Sequence, residues 1–304
     1  MTWFLIAFSA LIFWSFVNIS DQYLVSEFST GERSSGGLVL FSSLIGVVVA
    51  VLIGIFTHGV LDVTILDKLL LMLTGGMSIA WVILYLYTLE IEDVSAVVPW
   101  FLTVPIFSFI LGYIFLGETL TTHQLLGGLV VLMGATIISV DFSAEKRIFK
   151  WKSALYMLLS CLMIATSGVI FKFVTISGSF WLSSFWEYVG LGIVGICLYT
   201  MVPKYRNEFI TMNKQGGLRI ILLNTFSESF TIIGNLLTNY ALLLVPVTMV
   251  YLVGSFQPAI VLVFTLIGTK FFPAIVNENV SKKVLVPKVL AISVMIIGSI
   301  ILFA

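Results

Sequence analysis

Ten apolar stretches, most of them close to a bilayer crossing in length, follow one another along this chain with short connections between them. They run roughly over 2–19, 36–57, 67–88, 94–116, 121–140, 151–174, 180–202, 217–244, 246–269 and 285–303. A helix needs about 20 apolar residues to cross the hydrocarbon core. Lipid offers no partner to backbone N–H and C=O groups, so a crossing segment is a helix or part of a closed barrel. The alternation of a barrel strand is absent. The pattern predicts an all-α integral membrane protein with ten transmembrane helices.

Composition narrows the function classes. Hydrophobic residues make up 60% of the 304 residues and charged residues 10%, where a soluble domain is roughly a quarter charged. Net charge is zero, so nothing points to nucleic acid. Cys161 and Cys197 both fall in apolar stretches and read as small buried hydrophobes. No metal-ligand spacing, phosphate loop or nucleophile–base pattern is present. The expectation is a protein that is not an enzyme and has no cofactor. Residues Thr2 to Ile19 lack a basic leader and read as a retained first helix.

Orientation follows from the basic residues. Thirteen of the fifteen Lys and Arg fall in or beside the connections after spans 1, 3, 5, 7 and 9, leaving only Lys68 and Lys172 on the other side. Basic residues favour the cytoplasmic side. The chain is therefore expected in the cell membrane as a multi-pass protein with both termini external.

Two stretches of the chain look alike. Tyr87 to Phe107 aligns with Tyr240 to Ile260, with Tyr87/Tyr240, Leu89/Leu242, Val94/Val247 and Pro105/Pro258 all 153 residues apart. Span 4 thus maps onto span 9, five helices later. An odd number of helices repeated in tandem inserts its second copy upside down. The expected organisation is two inverted five-helix repeats, 1–145 and 146–304. In such transporters the site lies near the midplane, where the halves meet.

The stretch PWFLTVPIFSFILGYIFLGETLTTHQLLGGLVVLMGATIIS carries Pro105 in helix 4, Gly117–Glu118 at its end, and Gly127, Gly128 and Gly134 in helix 5. It resembles the EamA domain of the drug/metabolite transporter superfamily. The resemblance implies ten helices in two inverted repeats around a central cavity, and movement of small metabolites by alternating access. The second copy departs from it, with Gly268–Thr269–Lys270 where another Gly-Glu is expected.

Glu228 is the first candidate for chemistry. It lies near the middle of span 8 and shares a helical face with Asn224, Thr231 and Asn235. A carboxylate at that depth costs roughly 2.5–3.5 kcal/mol on insertion scales and marks a bundle interior or wet cavity. It reads as a proton-coupling group or a counter-ion for a cationic substrate. The bland alternative is a structural bond to Asn224 or Ser227. Glu187 in span 7 is the second, surrounded in sequence by Trp181, Trp186 and Tyr188. Those aromatics either frame a cation site or form an interfacial belt. Asn235 and Asn239 are suited to orienting a polar solute or to interhelical bonding.

Trp100 in span 4, and Tyr251 and Gln257 in span 9, are candidate pocket walls. Pro105 and Pro258 are expected helix kinks, because proline frees a carbonyl one turn earlier. Asp21 reads as solvated at the end of span 1. Lys172 either snorkels or joins a gate ion pair. Glu90, Glu92 and Asp93 form an acidic cluster expected in cytoplasmic water. The glycines of span 5 and of span 7 (Gly190, Gly192, Gly195) suit close helix contact.

The reading that collects these features is a secondary transporter, exporter or exchanger, of a small polar or amphipathic metabolite, with proton coupling left open. The alternative is a lipid-handling flippase or a noncatalytic membrane subunit. The expected partners are a small-molecule substrate, the lipid bilayer and, on the coupled reading, protons. The oligomeric state is left between monomer and homodimer.

Overall fold

A computed structural model describes residues 2–28, 35–92, 97–138, 151–271 and 282–303. The described residues are helical and contain no strand. In chain order they are α1 (Thr2–Phe28), α2 (Gly36–Phe56), α3 (Ile65–Leu89), a 3-10 segment (Val98–Thr103), α4 (Val104–Leu116) and α5 (Thr122–Ile138). Then come α6 (Trp151–Thr175), α7 (Phe180–Met201), α8 (Pro203–Leu242), α9 (Val247–Gly254), α10 (Gln257–Phe271) and α11 (Lys282–Phe303). Eight segments among the described residues are long and apolar enough to cross a membrane. Two further apolar helices, Thr122–Ile137 and Val286–Leu302, are shorter.

Apolar side chains face outward as well as inward. Val48, Val51, Leu52, Ile55 and Phe56 are exposed on α2, while Ser43 and Gly46 on its other side are buried. In water such a surface would aggregate; in a bilayer, acyl chains solvate it. Inside, many hydroxyls bond back to their own helix, as Ser15 Oγ does to Leu11 O at 2.8 Å.

Small residues set the helix pairings. A Cβ on Gly127 of α5 would stand 2.5 Å from Leu302 N of α11, so those two backbones touch. Elsewhere α3 packs on α6 and α7, α2 on α7 and α8, α1 on α8, and α4 on α6 and α9. Met249, Leu252, Leu302, Trp3, Leu120 and Val245 cluster at one end of the bundle. Leu24, Leu38, Leu89, Val98, Tyr205 and Met212 cluster at the other.

Helix ends differ from expectation in two places. Helix α1 runs to Phe28, past the expected end at 19, and so includes Asp21. Polar residues there signalled a span end, yet a polar side chain that faces a cavity does not stop a helix. Residues 203–216, read as a loop, are helical and bury Tyr205 and Met212. Gly217, with φ 55° and ψ −147°, separates that helix from the rest of α8. Only glycine takes such a backbone readily.

The spans that carry Pro105 and Pro258 are both broken, whereas α11 holds Pro287 inside one helix. Pro105 is the second residue of α4, directly after the 3-10 segment. Pro258 is the second residue of α10, after the break at Ser255–Phe256. Proline suits a first turn, where its missing N–H has no intrahelical partner to lose.

Candidate functional site

Helices α1, α3, α7 and α8 enclose two cavities that meet at Trp14, Ser78, Trp81 and Asn235. The larger, about 140 Å³, also draws on α6, α9 and Gln257 of α10. The smaller, about 80 Å³, lies on the α2 side and reaches Asp21, Ser42, Tyr85 and Glu228. The rings of Trp14 and Trp81 approach to 6.2 Å between centroids where the two spaces join. Trp14 is held by its indole N–H, which donates to Thr238 Oγ1 at 3.3 Å.

Each cavity has a buried carboxylate. Glu187 is 2% exposed and lines the larger one. Asn239 Nδ2 donates to its Oε2 at 2.7 Å, and Asn235 Nδ2 lies 3.4 Å from its Oε1. Asn235 and Asn239 stand one turn apart on α8, so both reach the same side chain of α7. Glu228 lines the smaller cavity and accepts from Ser42 Oγ of α2. Thr231 and Asn235 share that cavity, as the face through Glu228 implies.

Other candidates fall apart or into place. Asn224 is buried, but its Nδ2 donates to Ile220 O of its own helix at 3.1 Å, and it lines neither cavity. Asp21, read as solvated, lines the smaller cavity with Glu228. Tyr251 and Gln257 line the larger cavity, and Tyr251 donates its hydroxyl to Ile164 O at 3.2 Å. Trp100 packs beside Cys161 instead, and its neighbour Phe101 takes the wall position. Trp181 is half exposed, and Trp186 donates to Val60 O at 2.7 Å, so neither frames Glu187. The aromatic walls around Glu187 are Trp14, Trp81, Phe101 and Tyr251, from four other segments. A lone tryptophan in an apolar span carries no sequence signal that it faces a cavity, which is why Trp14 and Trp81 are absent from the expected site.

The end of the bundle beyond the larger cavity is tied by a buried ion pair. Gly117 closes α4 in the left-handed region, with φ 64°, and Glu118 N donates to Gly112 O at 3.1 Å. The turn swings the Glu118 carboxylate inward. Its Oε2 accepts Val247 N at 2.7 Å, at the first turn of α9. Its Oε1 lies 2.6 Å from Lys172 Nζ of α6. Lys172 also donates to Val245 O at 2.6 Å. Of the two readings of Lys172, the ion pair is the one formed, and the Gly-Glu pair supplies its acidic half.

At the opposite end, Glu90 accepts from both N and Oγ of Ser35 at 2.7 Å, and Glu92 accepts from Ser153 Oγ at 3.1 Å. Half-exposed, these two acids of the expected acidic cluster also tie helix ends together. Asp93 lies outside the described residues.

Comparison with known proteins adds three findings. A model of the EamA-like transporter family matches residues 1–140. No curated protein sequence matches the chain. A solved crystal structure shares the fold, with a TM-score of 0.71 at 12% identity, covering 99% of this chain and 95% of the other.

Proposed function

We propose, on the premise that residues 1–140 belong to the EamA-like transporter family of the drug/metabolite transporter superfamily, that this multi-pass membrane protein moves a small polar or amphipathic solute by alternating access. The observation that carries the proposal is the pair of joined cavities, each with a buried carboxylate, on either side of Trp14 and Trp81. The moving parts are two inverted five-helix repeats, 1–145 and 146–304.

The helix pairings favour that division. Exchange of each helix for the one five spans later turns the α1–α8 contact into α6–α3, and α2–α8 into α7–α3. The same exchange maps α2–α7, α5–α11 and α4–α9 onto themselves. Pro105 and Pro258 exchange too, each just after a helix break. That exchange supports a two-fold relation between the halves, and the odd number of helices per repeat favours an axis in the membrane plane.

In this mechanism the solute rests in the larger cavity beside Glu187. The Glu118–Lys172 pair closes the end that the basic-residue bias places outside. Rocking of one repeat on the other separates Glu118 at the end of α4 from Lys172 of α6 and Val247 of α9, breaks that tie and opens the cavity. The mirror movement admits solute past Trp14 and Trp81 into the space beside Glu228. Glu228 takes a proton when solute leaves and gives it up when solute returns, which couples the cycle to a proton gradient.

Purified protein in liposomes, assayed for counterflow against a metabolite panel with and without a proton gradient, tests the proposal. Counterflow of at least one small solute is expected. Glu228→Gln is expected to keep exchange and lose gradient-driven accumulation. Lipid scrambling with no solute flux would replace this reading with a lipid-handling one.

A further inference from the structure

We infer that the larger cavity binds a small organic cation, an amine carrying an apolar body about the size of one aromatic ring. This deepens the transporter reading, on which it rests, by naming the class of solute. The charge of the walls is the first argument. Glu187 is the charged-type side chain lining that cavity, and Asp21 and Glu228 line the adjoining one; among the described residues no Lys, Arg or His lines either. Lys172 of α6, a helix that lines this cavity, is occupied by Glu118 and Val245 O. An anion entering here would meet acids and no counter-charge.

The second argument is the unused capacity of Glu187. A carboxylate accepts about four hydrogen bonds. Asn239 and Asn235 supply the two side-chain donors found at Glu187, one to each oxygen. The remaining lone pairs suit an ammonium, which brings donors and no acceptor.

The third argument is the aromatic wall. Trp81 meets Trp14 at 6.2 Å and Phe101 at 6.4 Å, both edge to face. Trp14, Trp81, Phe101 and Tyr251 all line the space beside Glu187, and aromatic rings attract cations. The hydroxyl of Tyr251 and the indole N–H of Trp14 are already donated to Ile164 O and Thr238 Oγ1. Those side chains therefore offer the solute surface and not donors. The volume, about 140 Å³, compares with an apolar cavity of about 150 Å³ that takes up one benzene.

Three isosteric probes separate the charge classes: benzylamine, benzyl alcohol and benzoate. Equilibrium binding of each to the purified protein in detergent is measured by titration calorimetry. Benzylamine is expected to bind at least about tenfold tighter than the alcohol, with benzoate not binding. Glu187→Gln should remove the preference for amine over alcohol, and Glu187→Asp should retain part of it. Trp81→Leu, which leaves the carboxylate in place, should weaken benzylamine several-fold. Gel filtration confirms that each variant is folded.

Equal affinity for amine and alcohol, binding of benzoate, or no saturable benzylamine binding would each overturn the assignment. Counterflow assays on the same preparation keep the two claims apart. Flux of a non-amine solute without amine binding removes the amine assignment and keeps the transporter. Benzylamine binding without flux of any solute removes the transporter and keeps the cation site.

Discussion

Replacing Glu118 by Gln removes one charge from a buried pair and leaves its shape in place. The side chains of Lys172 and Glu118 are 8% and 13% exposed, and the charged atoms lie 2.6 Å apart. After the substitution, the Lys172 ammonium keeps the Val245 carbonyl and gains a neutral amide oxygen. Removing one partner of a buried pair costs roughly 3–5 kcal/mol, because the other charge stays buried without compensation. Lys172→Met leaves a different orphan. Glu118 still accepts the Val247 N–H at the N-terminus of α9, where a negative charge is favoured by about 0.3–1 kcal/mol. The lysine variant should therefore be the less damaged of the two. The double variant removes both charges and should recover most of the loss.

Cys161 is buried and Cys197 exposed, so in a Cys197→Ser background a thiol-reactive dye reports exposure of the core. Equilibrium unfolding in rising SDS, followed by that dye, yields the four corners of a double-mutant cycle. A loss below about 0.5 kcal/mol for Glu118→Gln, as for an exposed pair, would refute the reasoning. So would strictly additive single effects.

Two further outcomes test the packing and the site with the same unfolding assay. A Cβ at Gly190 would fall on Met72 O, with Met72 Cα at 2.5 Å, whereas one at Gly76 meets only Val194 Cγ2 at 3.5 Å. Gly190→Ala should cost about 1–3 kcal/mol or more from overpacking, and Gly76→Ala should be tolerated; equal effects would show that α3 and α7 do not meet this closely. Asn239→Ala should cost about 1.5–3 kcal/mol if its bond to Glu187 is charge-assisted. Asn235→Ala should cost less, since its amide lies 3.4 Å from the carboxylate and not 2.7 Å; the reverse order would contradict the described geometry.

Much of the site was half legible. The face through Glu228, Thr231 and Asn235 follows from spacing alone, and all three line one cavity. Asn224 belongs to the same spacing, but its amide donates to Ile220 O one turn back in its own helix. Asp21 looked like a span end, since a polar run at the close of an apolar stretch is the usual sign of water. Its cavity is made by Ser42 and Glu228, which are distant in sequence.

The chain by itself determined that the protein is helical and multi-pass, because backbone groups in lipid must be satisfied within each segment. It also pointed to the helix breaks beside Pro105 and Pro258 and to glycines that permit contact between helices. Tertiary structure alone decided the partners: Glu118 with Lys172, Glu187 with Asn239, Glu228 with Ser42. Each depends on how far a helix is rotated about its axis. In water, the apolar stripe of a helix reveals that rotation. Here the lipid-facing side is about as apolar as the packed one, so periodicity reports it only where a polar face exists, as through Glu228, Thr231 and Asn235; elsewhere close packing at residues such as Gly190 and Gly127 restricts the angle.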